Sequence, residues 1–440
     1  MDIIIIGCGP GGQRAAEYAA KRGLHVTICE KAELGGTCLN EGCIPTKTLA
    51  RHAEVAETLR RAHDFGFAVA EPTLDYGLVR QRKDAIVAQL RSGIESVLAS
   101  YPTITLLRRE MSVGEALTMA PHVIIATGSE TKLLPIDGIG QAMTSRELLD
   151  IDHVPPRLAI IGAGVIGMEF ASIFSSLGSQ VTVVEYLKEC LPALDSDIAK
   201  RLRKTLEKRG VAFHMQAACK QVRKAADGAG GAAYEVVFEQ KGKEVCIEAD
   251  EVLSATGRKP RLSAALGLEA AGISYDEKTG IHVDDNMQTS APGVYAIGDV
   301  NGRQMLAHAA SAQAVVAVNH ILGLPATPAS QQAIPAAIFT HPEAACVGLS
   351  EDQCKELGRP YQASKHFFRA NGKAVAMGDT EGMVKLLADE TGRIVGCHAF
   401  GPHSADIVQE VSVLMCKDTT VDELRQMVHI HPTLGEVLVS

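Results

Sequence analysis

The first apolar run of the chain leads directly into a glycine-rich turn. In the stretch DIIIIGCGPGGQRAAEYAAKRGLHVTICE (residues 2–30), the run ends at Gly7-x-Gly9-x-x-Gly12, a helix-patterned segment follows, and a second apolar run closes at Glu30. Short apolar runs bounded by glycine predict strands, and apolar positions three and four residues apart predict the helix between them. The order therefore predicts a βαβ unit of a parallel sheet.

The same order returns in RLAIIGAGVIGMEFASIFSSLGSQVTVVE (residues 157–185), with Gly162-x-Gly164-x-x-Gly167 after the first run and Glu185 at the end. In both copies 23 residues separate the first glycine from the closing acid, 30 − 7 and 185 − 162. Such glycines allow a tight turn and a close approach of backbone to a pyrophosphate, which then faces a helix N-terminus. The sequence therefore predicts two bound dinucleotides.

The closing acid of such a unit accepts a hydrogen bond from a ribose 2′-hydroxyl. A carboxylate at this position would repel a 2′-phosphate. Glu185 therefore favours NAD over NADP at the second unit.

Further apolar runs predict strands and turns in the rest of the chain. The runs HVIIATGS (122–129) and EVLSATGRKP (251–260) each end in Ala-Thr-Gly, and TSAPGVYAIGDV (289–300) predicts a strand ending at Gly298-Asp299 with a helix from near Met305. The segment KAADGAGGAAYE (224–235) predicts a surface hairpin loop, and LGLPATPASQQAIP (322–335) predicts a linker.

The predicted fold class is α/β, with two Rossmann-like dinucleotide-binding domains and a C-terminal α+β domain. The predicted boundaries are residues 1–140 for the first nucleotide domain, 141–268 for the second, 269–330 for a central segment that returns to the first, and 331–440 for the C-terminal domain.

Composition narrows the class of protein. The 440 residues are 46% apolar and carry a net charge of −9 from dispersed charges, which argues against nucleic acid or an anionic membrane surface as a partner. No apolar run approaches the roughly 20 residues of a membrane span. The start of the chain has no basic segment before its apolar run, so we expect no signal peptide. Eleven scattered cysteines indicate mostly buried thiols in a reducing, cytoplasmic compartment.

Two of those cysteines, Cys38 and Cys43, lie close together in GGTCLNEGCIPTK (35–47). A structural disulfide closing so short a loop would contribute only about 2 kcal/mol. A zinc site would need two more ligands at suitable spacing. A redox-active pair and inert buried thiols both stay open, and a position just after the first nucleotide unit favours the redox-active pair.

Two charged residues could serve such a pair. Lys47 follows Cys43 by four residues, which places both on one face of a helix, and a cation there would favour a thiolate. A solvated lysine is the alternative. Glu169 is an acid flanked by apolar residues in the second motif's helix, and it needs a partner. Lys47 is a candidate for that partner.

The C-terminal segment MVHIHPTLGEVLVS contains a candidate base. Thiol–disulfide exchange needs a group that takes a proton from a substrate dithiol, and histidine does so near pH 7. His431 with Glu436 five residues later matches a base and its orienting carboxylate. A hydrogen-bonded structural histidine is the alternative, and it is our interpretation of His429.

These segments together resemble the dihydrolipoamide dehydrogenases, of the class I pyridine nucleotide–disulfide oxidoreductases, over essentially the whole chain. The resemblance rests on GGTCLNEGCIPTK, GAGVIGMEFA, ATGRKP, TSAPGVYAIGDV, MLAH, AAIFTHPEAACVGLSE and HIHPTLGE. In particular, CLNEGCIPTK favours the lipoamide enzymes over the glutathione reductase branch.

The resemblance implies residue roles. Cys38 would be the interchange thiol that attacks the substrate, and Cys43 would lie against the flavin. Lys47 and Glu169 would pair near the flavin, and His431 with Glu436 would form the base, contributed by the partner subunit. The residues implied for FAD are Gly7, Gly9, Gly11, Gly12, Glu30, Lys31, Gly36, Thr37, Lys47, Thr127, Gly128, Ser129, Asp299, Met305, Leu306, Ala307 and His308. The residues implied for NAD are Gly162, Gly164, Val165, Ile166, Gly167, Glu169, Glu185, Cys219 and Gly257.

The implied reaction is oxidation of dihydrolipoyl groups on a carrier protein, with electrons passing through the disulfide and FAD to NAD. The carrier would be the E2 acyltransferase of a 2-oxo-acid dehydrogenase complex or the H protein of the glycine cleavage system. The region after about residue 331 would form the interface of a homodimer. No metal, nucleic acid or membrane is expected.

The rival interpretations differ in what they require. A mercuric reductase would want a C-terminal cysteine pair where this sequence reads EVLVS. A glutathione-type reductase would want NADPH, against which Glu185 argues. A non-catalytic flavoprotein or redox sensor would not need the cysteine pair together with His431 and Glu436. Four features depart from the family pattern. They are the alanine-rich AHAASAQA (307–314), LLRREM (106–111) where a glycine usually contacts FAD, so that the contact near Arg109 is unassigned, Cys219 where valine is common, and Gly435 in place of a common serine.

Overall fold

The computed structural model describes residues 2–70, 72–225, 231–325 and 333–439. Part of the predicted hairpin loop (226–230) and part of the predicted linker with its boundary at 330 (326–332) lie outside the described residues. The chain forms two compact units. The first comprises Met1–Thr48, Gly77–Lys132 and Gly257–Ala329, and the second comprises Leu49–Tyr76, Leu133–Thr256 and Ser330–Ser440.

The strands and helices are numbered along the chain. The strands are β1 (Asp2–Ile6), β2 (His25–Cys29), β3 (Ile104–Leu107), β4 (His122–Ile125), β5 (Ser129–Thr131), β6 (Arg157–Ile161), β7 (Gln180–Glu185), β8 (Ala212–Met215), β9 (Ala217–Lys224), β10 (Tyr234–Gln240), β11 (Lys243–Ala249), β12 (Glu251–Ser254), β13 (Arg258–Pro260), β14 (Tyr275–Asp276), β15 (Gly280–Ile281), β16 (Val294–Ala296), β17 (Ala336–Ile338), β18 (Glu343–Gly348), β19 (Gln362–Phe367), β20 (Met383–Ala388) and β21 (Ile394–Gly401). The helices are α1 (Pro10–Ala20), α2 (Gly36–Glu41), α3 (Cys43–Arg60), α4 (Tyr76–Ala99), α5 (Val113–Met119), α6 (Ser145–Leu149), α7 (Val165–Leu177), α8 (Ser196–Lys208), α9 (Ala307–Ile321), α10 (Glu351–Glu356), α11 (Gly372–Met377), α12 (Ser404–Met415) and α13 (Val421–Gln426).

The first unit is built on a parallel sheet of five strands in the order β16-β4-β1-β2-β3. Successive side chains of a strand point to opposite faces, so the isoleucines of β1 serve two cores. Ile3 and Ile5 pack with alanines of α1 and α9. Ile4 and Ile6 pack with the other core, which includes residues of α5. Burial of both faces explains why β1 is a continuous apolar run.

The second unit contains three sheets. A parallel sheet in the order β12-β6-β7-β8 carries α7, and the antiparallel strands β9, β10 and β11 form a separate sheet. The C-terminal region forms an antiparallel sheet in the order β17-β18-β21-β20-β19, and residues of α12 share its core. The predicted α/β fold, with two parallel-sheet nucleotide units and a C-terminal α+β region, is confirmed.

One boundary differs from the sequence prediction. The helix predicted from near Met305 begins at Ala307, because Leu306 at its N-cap is extended (φ −131°). Within the described ranges, no helix is long and apolar enough to cross a membrane.

Candidate active site

The glycine turn of the first unit forms a cradle that excludes side chains. Gly7 has φ +107°, and a Cβ there would collide with the carbonyl of Ala126. A Cβ on Gly12 would collide with the carbonyl oxygen of Gly7. Beyond this tight turn, Gly9 and Gly36 face each other, since a Cβ on Gly36 would lie 2.8 Å from the Cα of Gly9. Bare backbone at the start of α1 fits a pyrophosphate.

The second unit repeats this geometry. Gly162 has φ +106° beside the carbonyl of Ala255, and a Cβ on Gly167 would collide with the carbonyl oxygen of Gly162. Gly164 has open space beside it. Val165 is the first residue of α7 and is 45% exposed, although it is apolar. A half-buried glycine turn at the N-terminus of a 13-residue helix fits the phosphates of a second dinucleotide.

The two closing acids are held identically. One oxygen of Glu30 accepts a hydrogen bond from the N–H of Cys8 (2.8 Å), and the other accepts from the N–H of Ala32 (2.8 Å). The oxygens of Glu185 accept from the N–H of Ala163 (2.6 Å) and the N–H of Leu187 (2.7 Å). Cys8 and Ala163 each follow the first glycine of their motif. A carboxylate oxygen has more than one lone pair, so each acid can still accept from a ribose hydroxyl.

Asp299, predicted to hold FAD, belongs to a chain of hydrogen bonds within the first unit. The hydroxyl of Ser129 donates to the Asp299 carboxylate at 2.5 Å. The Arg258 guanidinium in turn donates to the Ser129 hydroxyl (2.7 Å) and to the Ser129 carbonyl oxygen (2.8 Å). Burial lowers the pKa of Arg258, and the carboxylate of Asp299 opposes that effect. Sequence reasoning missed Arg258, although it lies within the quoted ATGRKP.

The turn that presents Asp299 depends on a second missed residue. The side-chain oxygen of Gln313 accepts from the N–H of Gly298 (2.7 Å) and from the amide of Asn301 (2.9 Å). Gln313 is buried in α9. It lies in the alanine-rich AHAASAQA segment, so that segment keeps one polar side chain that fixes the turn. Met305, Leu306, Ala307 and His308 lie at the N-terminus of the same helix.

The remaining residues predicted to hold FAD lie on surrounding loops. Lys31 forms an exposed ion pair with Glu110. Thr127 donates to the carbonyl oxygen of Arg261 at 3.3 Å, and Gly128 has φ +73°. Arg109, near the unassigned FAD contact, pairs with Glu115.

Cys38 and Cys43 form a disulfide, with their Cα atoms 4.7 Å apart. Cys38 lies in α2, whose first residue is Gly36, and Cys43 is the first residue of α3. Gly42 separates the two helices in a conformation (φ −150°, ψ −104°) outside the helical region. The disulfide therefore joins α3 to α2, and α2 begins at the glycine that faces Gly9. Thr37 precedes Cys38, and Lys47 lies one turn into α3.

Glu169 lies in the second unit and is only 4% exposed. Its carboxylate accepts from the N–H of Phe339 at 2.9 Å, and one turn later on α7 the Ser172 hydroxyl accepts from the N–H of His341 at 2.9 Å. The backbone of Phe339 is thus a partner that sequence reasoning did not find. The pairing of Glu169 with Lys47 stays a prediction.

Two residues predicted to hold NAD lack side-chain chemistry for that role. Burial raises the pKa of Cys219 to about 11, so this thiol is protonated at neutral pH and would contact a nucleotide through its backbone. Gly257 has φ +103° and nothing within 4 Å of a Cβ position, and it belongs to the first unit. Ile166 lies in the first turn of α7.

His431 and Glu436 form the predicted pair. The Nδ1 atom of His431 lies 2.8 Å from a Glu436 oxygen, and the other Glu436 oxygen accepts from the N–H of Thr433 at 2.8 Å. Those hydrogen bonds, from Thr433 and then from His431, lower the pKa of Glu436. Because an ionised carboxylate accepts the Nδ1 proton, Nε2 is left as the proton acceptor. The imidazole is 80% exposed.

No group of three His, Cys, Asp or Glu side chains able to hold a metal ion occurs in the part of the chain that the structure describes.

Comparison with known proteins covers nearly the whole chain. Residues 1–314 match the family model described as pyridine nucleotide-disulphide oxidoreductase, and residues 334–440 match the dimerisation domain of that family. A dihydrolipoyl dehydrogenase of Thermus scotoductus is 39% identical over 454 residues, covering 100% of this chain and 96% of the relative. A dihydrolipoyl dehydrogenase of Bacillus subtilis is 37% identical over 463 residues, covering 99% and 96%.

Two solved structures are similar throughout. LpdA from Mycobacterium tuberculosis superposes with a TM-score of 0.89 at 27% identity, covering 100% of this chain and 98% of the other. The HOCl-induced flavoprotein disulfide reductase RclA from Escherichia coli superposes with a TM-score of 0.85 at 29% identity, with coverage of 100% and 98%.

Proposed function

Since the chain belongs to the pyridine nucleotide-disulphide oxidoreductases, we propose that it oxidises protein-bound dihydrolipoyl groups and passes the electrons to NAD. Membership makes it a flavoprotein oxidoreductase with FAD and NAD as cofactors and Cys38–Cys43 as its redox-active disulfide. The dimerisation domain supports a homodimer. One observation carries the proposal: the disulfide segment begins at Gly36, which faces the phosphate cradle at Gly9.

The chain's own residues perform the thiol chemistry. One thiol of the dihydrolipoyl group loses its proton to solvent, and the resulting thiolate attacks the Cys38 sulfur, which forms a mixed disulfide and releases Cys43 as a thiolate. The Nε2 atom of His431, contributed by the partner subunit, takes the proton of the second substrate thiol. That thiolate then attacks the substrate sulfur of the mixed disulfide, so the lipoyl disulfide forms and Cys38 leaves as a thiolate. Bound FAD supplies the two-electron acceptor that links the reduced cysteines to the nicotinamide.

Neighbouring side chains stabilise the charged forms of the reacting groups in these steps. Glu436 orients His431 through Nδ1 and stabilises the imidazolium that forms when Nε2 is protonated. Lys47, one turn after Cys43, would favour the Cys43 thiolate. Glu169 would orient Lys47 with the carboxylate that Phe339 holds.

NAD is proposed over NADP because of Glu185. Its carboxylate is 8% exposed and accepts two backbone N–H groups, a geometry suited to a ribose diol. A 2′-phosphate would meet a fixed negative charge.

The lipoylated partner is proposed to be the E2 acyltransferase of a 2-oxo-acid dehydrogenase complex or the glycine cleavage H protein. A cytoplasmic location is also proposed, supported by nine free cysteines among the described residues, six of them buried. The domain boundaries at residues 140, 268 and 330 and the individual cofactor contacts are part of this proposal.

The decisive experiment measures NAD reduction by free dihydrolipoamide with the FAD-loaded protein. Wild-type protein should reduce NAD, and Cys38→Ser should abolish the activity. The matched control is Cys246→Ser, which removes an exposed free thiol and should leave the rate unchanged. If the wild-type protein shows no NAD reduction, or if Cys38→Ser equals wild type, the proposal is wrong.

A second candidate is reduction of disulfides by NADH or NADPH; the similar RclA is named a flavoprotein disulfide reductase. The two candidates differ in the physiological direction of electron flow. Capture of lipoylated proteins by Cys43→Ser, as mixed disulfides with the remaining Cys38, would favour the first. Rapid oxidation of NADPH with a disulfide substrate but not with lipoamide would favour the second.

A further inference from the structure

A second histidine–carboxylate pair lies two residues before His431. The Nε2 atom of His429 is 2.9 Å from a carboxylate oxygen of Glu410, which belongs to α12. The side chain of His429 is only 11% exposed, whereas that of His431 is 80% exposed. The two imidazoles therefore occupy different environments: one is packed against the domain and the other projects into solvent.

Both ring nitrogens of His429 face acceptors. Nδ1 lies 3.1 Å from the carbonyl oxygen of Met427, and Nε2 lies against the Glu410 carboxylate. A carbonyl oxygen and an ionised carboxylate can only accept, so both contacts are hydrogen bonds only when both nitrogens carry protons. The ring is thus held at both nitrogens, by the main chain on one side and by α12 on the other.

The loop between the two pairs is held at several points. The Asn371 side chain donates to the carbonyl oxygen of Thr433 at 3.0 Å, and the Thr433 hydroxyl donates to the carbonyl oxygen of Ile430 at 2.7 Å. The Glu410 carboxylate also approaches the far end of the loop, because a Cβ on Gly435 would lie 3.6 Å from it. Glu410 thus adjoins the loop on both sides of His431.

Resting on the proposed role of His431 as base, we propose that the His429–Glu410 pair is a positioning device that holds the His431 loop for proton transfer. His429 does not touch the reacting sulfur atoms. It fixes the backbone immediately before His431 to α12. Two carboxylates therefore hold this segment, Glu410 from α12 at His429 and Glu436 from the following turn at His431.

The pair predicts a loss in turnover rather than in binding. His429→Gln and Glu410→Gln should each lower kcat for dihydrolipoamide oxidation about tenfold, because small displacements of a catalytic group carry such costs. The KM for NAD should not change. Transfer of electrons from NADH to ferricyanide, which needs no substrate base, should also stay at the wild-type rate and serves as the check that each variant is folded and loaded with FAD.

The matched control is His403→Gln. His403 pairs with Asp406 at 3.3 Å at the start of the same helix and is exposed, and its substitution should leave kcat within twofold of wild type.

A double-variant cycle separates positioning from a structural role. In a His431→Gln background, the addition of His429→Gln should cost less than twofold, because the group that it positions is gone. An equal tenfold loss in that background, or wild-type kcat in both single variants, would overturn the inference. If wild-type protein does not oxidise dihydrolipoamide, the proposed function fails and this inference fails with it. If wild type is active and only His431→Gln is impaired, this inference alone fails.

Discussion

A single buried lysine should control the stability of the second unit. Lys385 of β20 is 1% exposed, and its ammonium group contacts Asp195 at 2.5 Å and Glu351 at 2.9 Å. Asp195 is equally buried. Lys385→Met keeps an apolar side chain of similar length and removes the positive charge. Two carboxylates would then face each other without that cation.

The magnitude follows from burial. Removing one partner of a buried ion pair costs about 3–5 kcal/mol, since the remaining charge is left uncompensated. Asp195 keeps weaker partners, the N–H groups of Asp197 and Glu351, each at 3.1 Å, which places the expected loss near the lower figure. For a folding unit of this size, about 3 kcal/mol corresponds to a fall in Tm of roughly 6 °C or more.

The chain supplies a matched control on the neighbouring strand. Lys365 of β19 lies directly opposite Lys385 in the sheet register and pairs with Asp197 at 3.1 Å, yet its side chain is 40% exposed. An exposed ion pair contributes about 0–1 kcal/mol. Lys365→Met should therefore lower Tm by at most about 2–4 °C.

The measurement is the thermal midpoint of the FAD-loaded protein, followed by circular dichroism at one scan rate for all variants. We expect Lys385→Met to melt at least about 6 °C below wild type and Lys365→Met to melt no more than about 4 °C below it. A Lys385→Met midpoint within 2 °C of wild type would refute the reasoning from burial.

Three further predictions test other parts of the molecule. Gly12→Ala should abolish FAD retention, whereas Gly167→Ala should retain FAD and lose reduction by NADH, because each Cβ collides with the carbonyl of its own motif. Absorbance of the purified proteins measures bound FAD, and stopped-flow kinetics measures reduction by NADH. Normal FAD content in Gly12→Ala together with normal reduction of Gly167→Ala would contradict this prediction. Glu185→Ala should lower the NAD-to-NADP ratio of kcat/KM about tenfold, through the lost hydrogen-bond acceptor, and an unchanged ratio would contradict the assigned role. Burial lowers the pKa of His398 to about 4, so the neutral ring contributes stability that is present above pH 6.5 and lost as the pH falls towards 4. About 2.5 pH units correspond to about 3 kcal/mol in the free energy of unfolding, and His398→Gln should flatten this part of the profile in denaturant titrations.

The sequence could predict features that depend on neighbours along the chain. The glycine turns and their closing acids were predictable because strand, turn, helix and acid lie within 30 residues, and the structure gives Gly7 and Gly162 the positive φ that the motif requires. The pair of His431 and Glu436 spans only five residues and was found for the same reason.

The features that the sequence did not reveal join distant segments. Arg258 reaches Ser129 across 129 residues, and Glu169 reaches the backbone of Phe339 across 170. A backbone donor leaves no sequence signal at all. His429 was interpreted as a hydrogen-bonded structural histidine, but its partner Glu410, 19 residues earlier in α12, was not identified. Such pairings follow from sheet topology and helix packing, which periodicity does not specify.

The contact between α7 and the C-terminal region affects which segments of this protein can be exchanged with those of a relative. The acceptors, Glu169 and Ser172, are side chains, whereas the donors at 339 and 341 are main-chain N–H groups. Nineteen of the twenty amino acids supply such a donor, and only proline does not. A chimera carrying a relative's C-terminal domain should therefore dock onto this helix with its own side chains at those positions, whereas the reverse graft must keep both acceptors on α7.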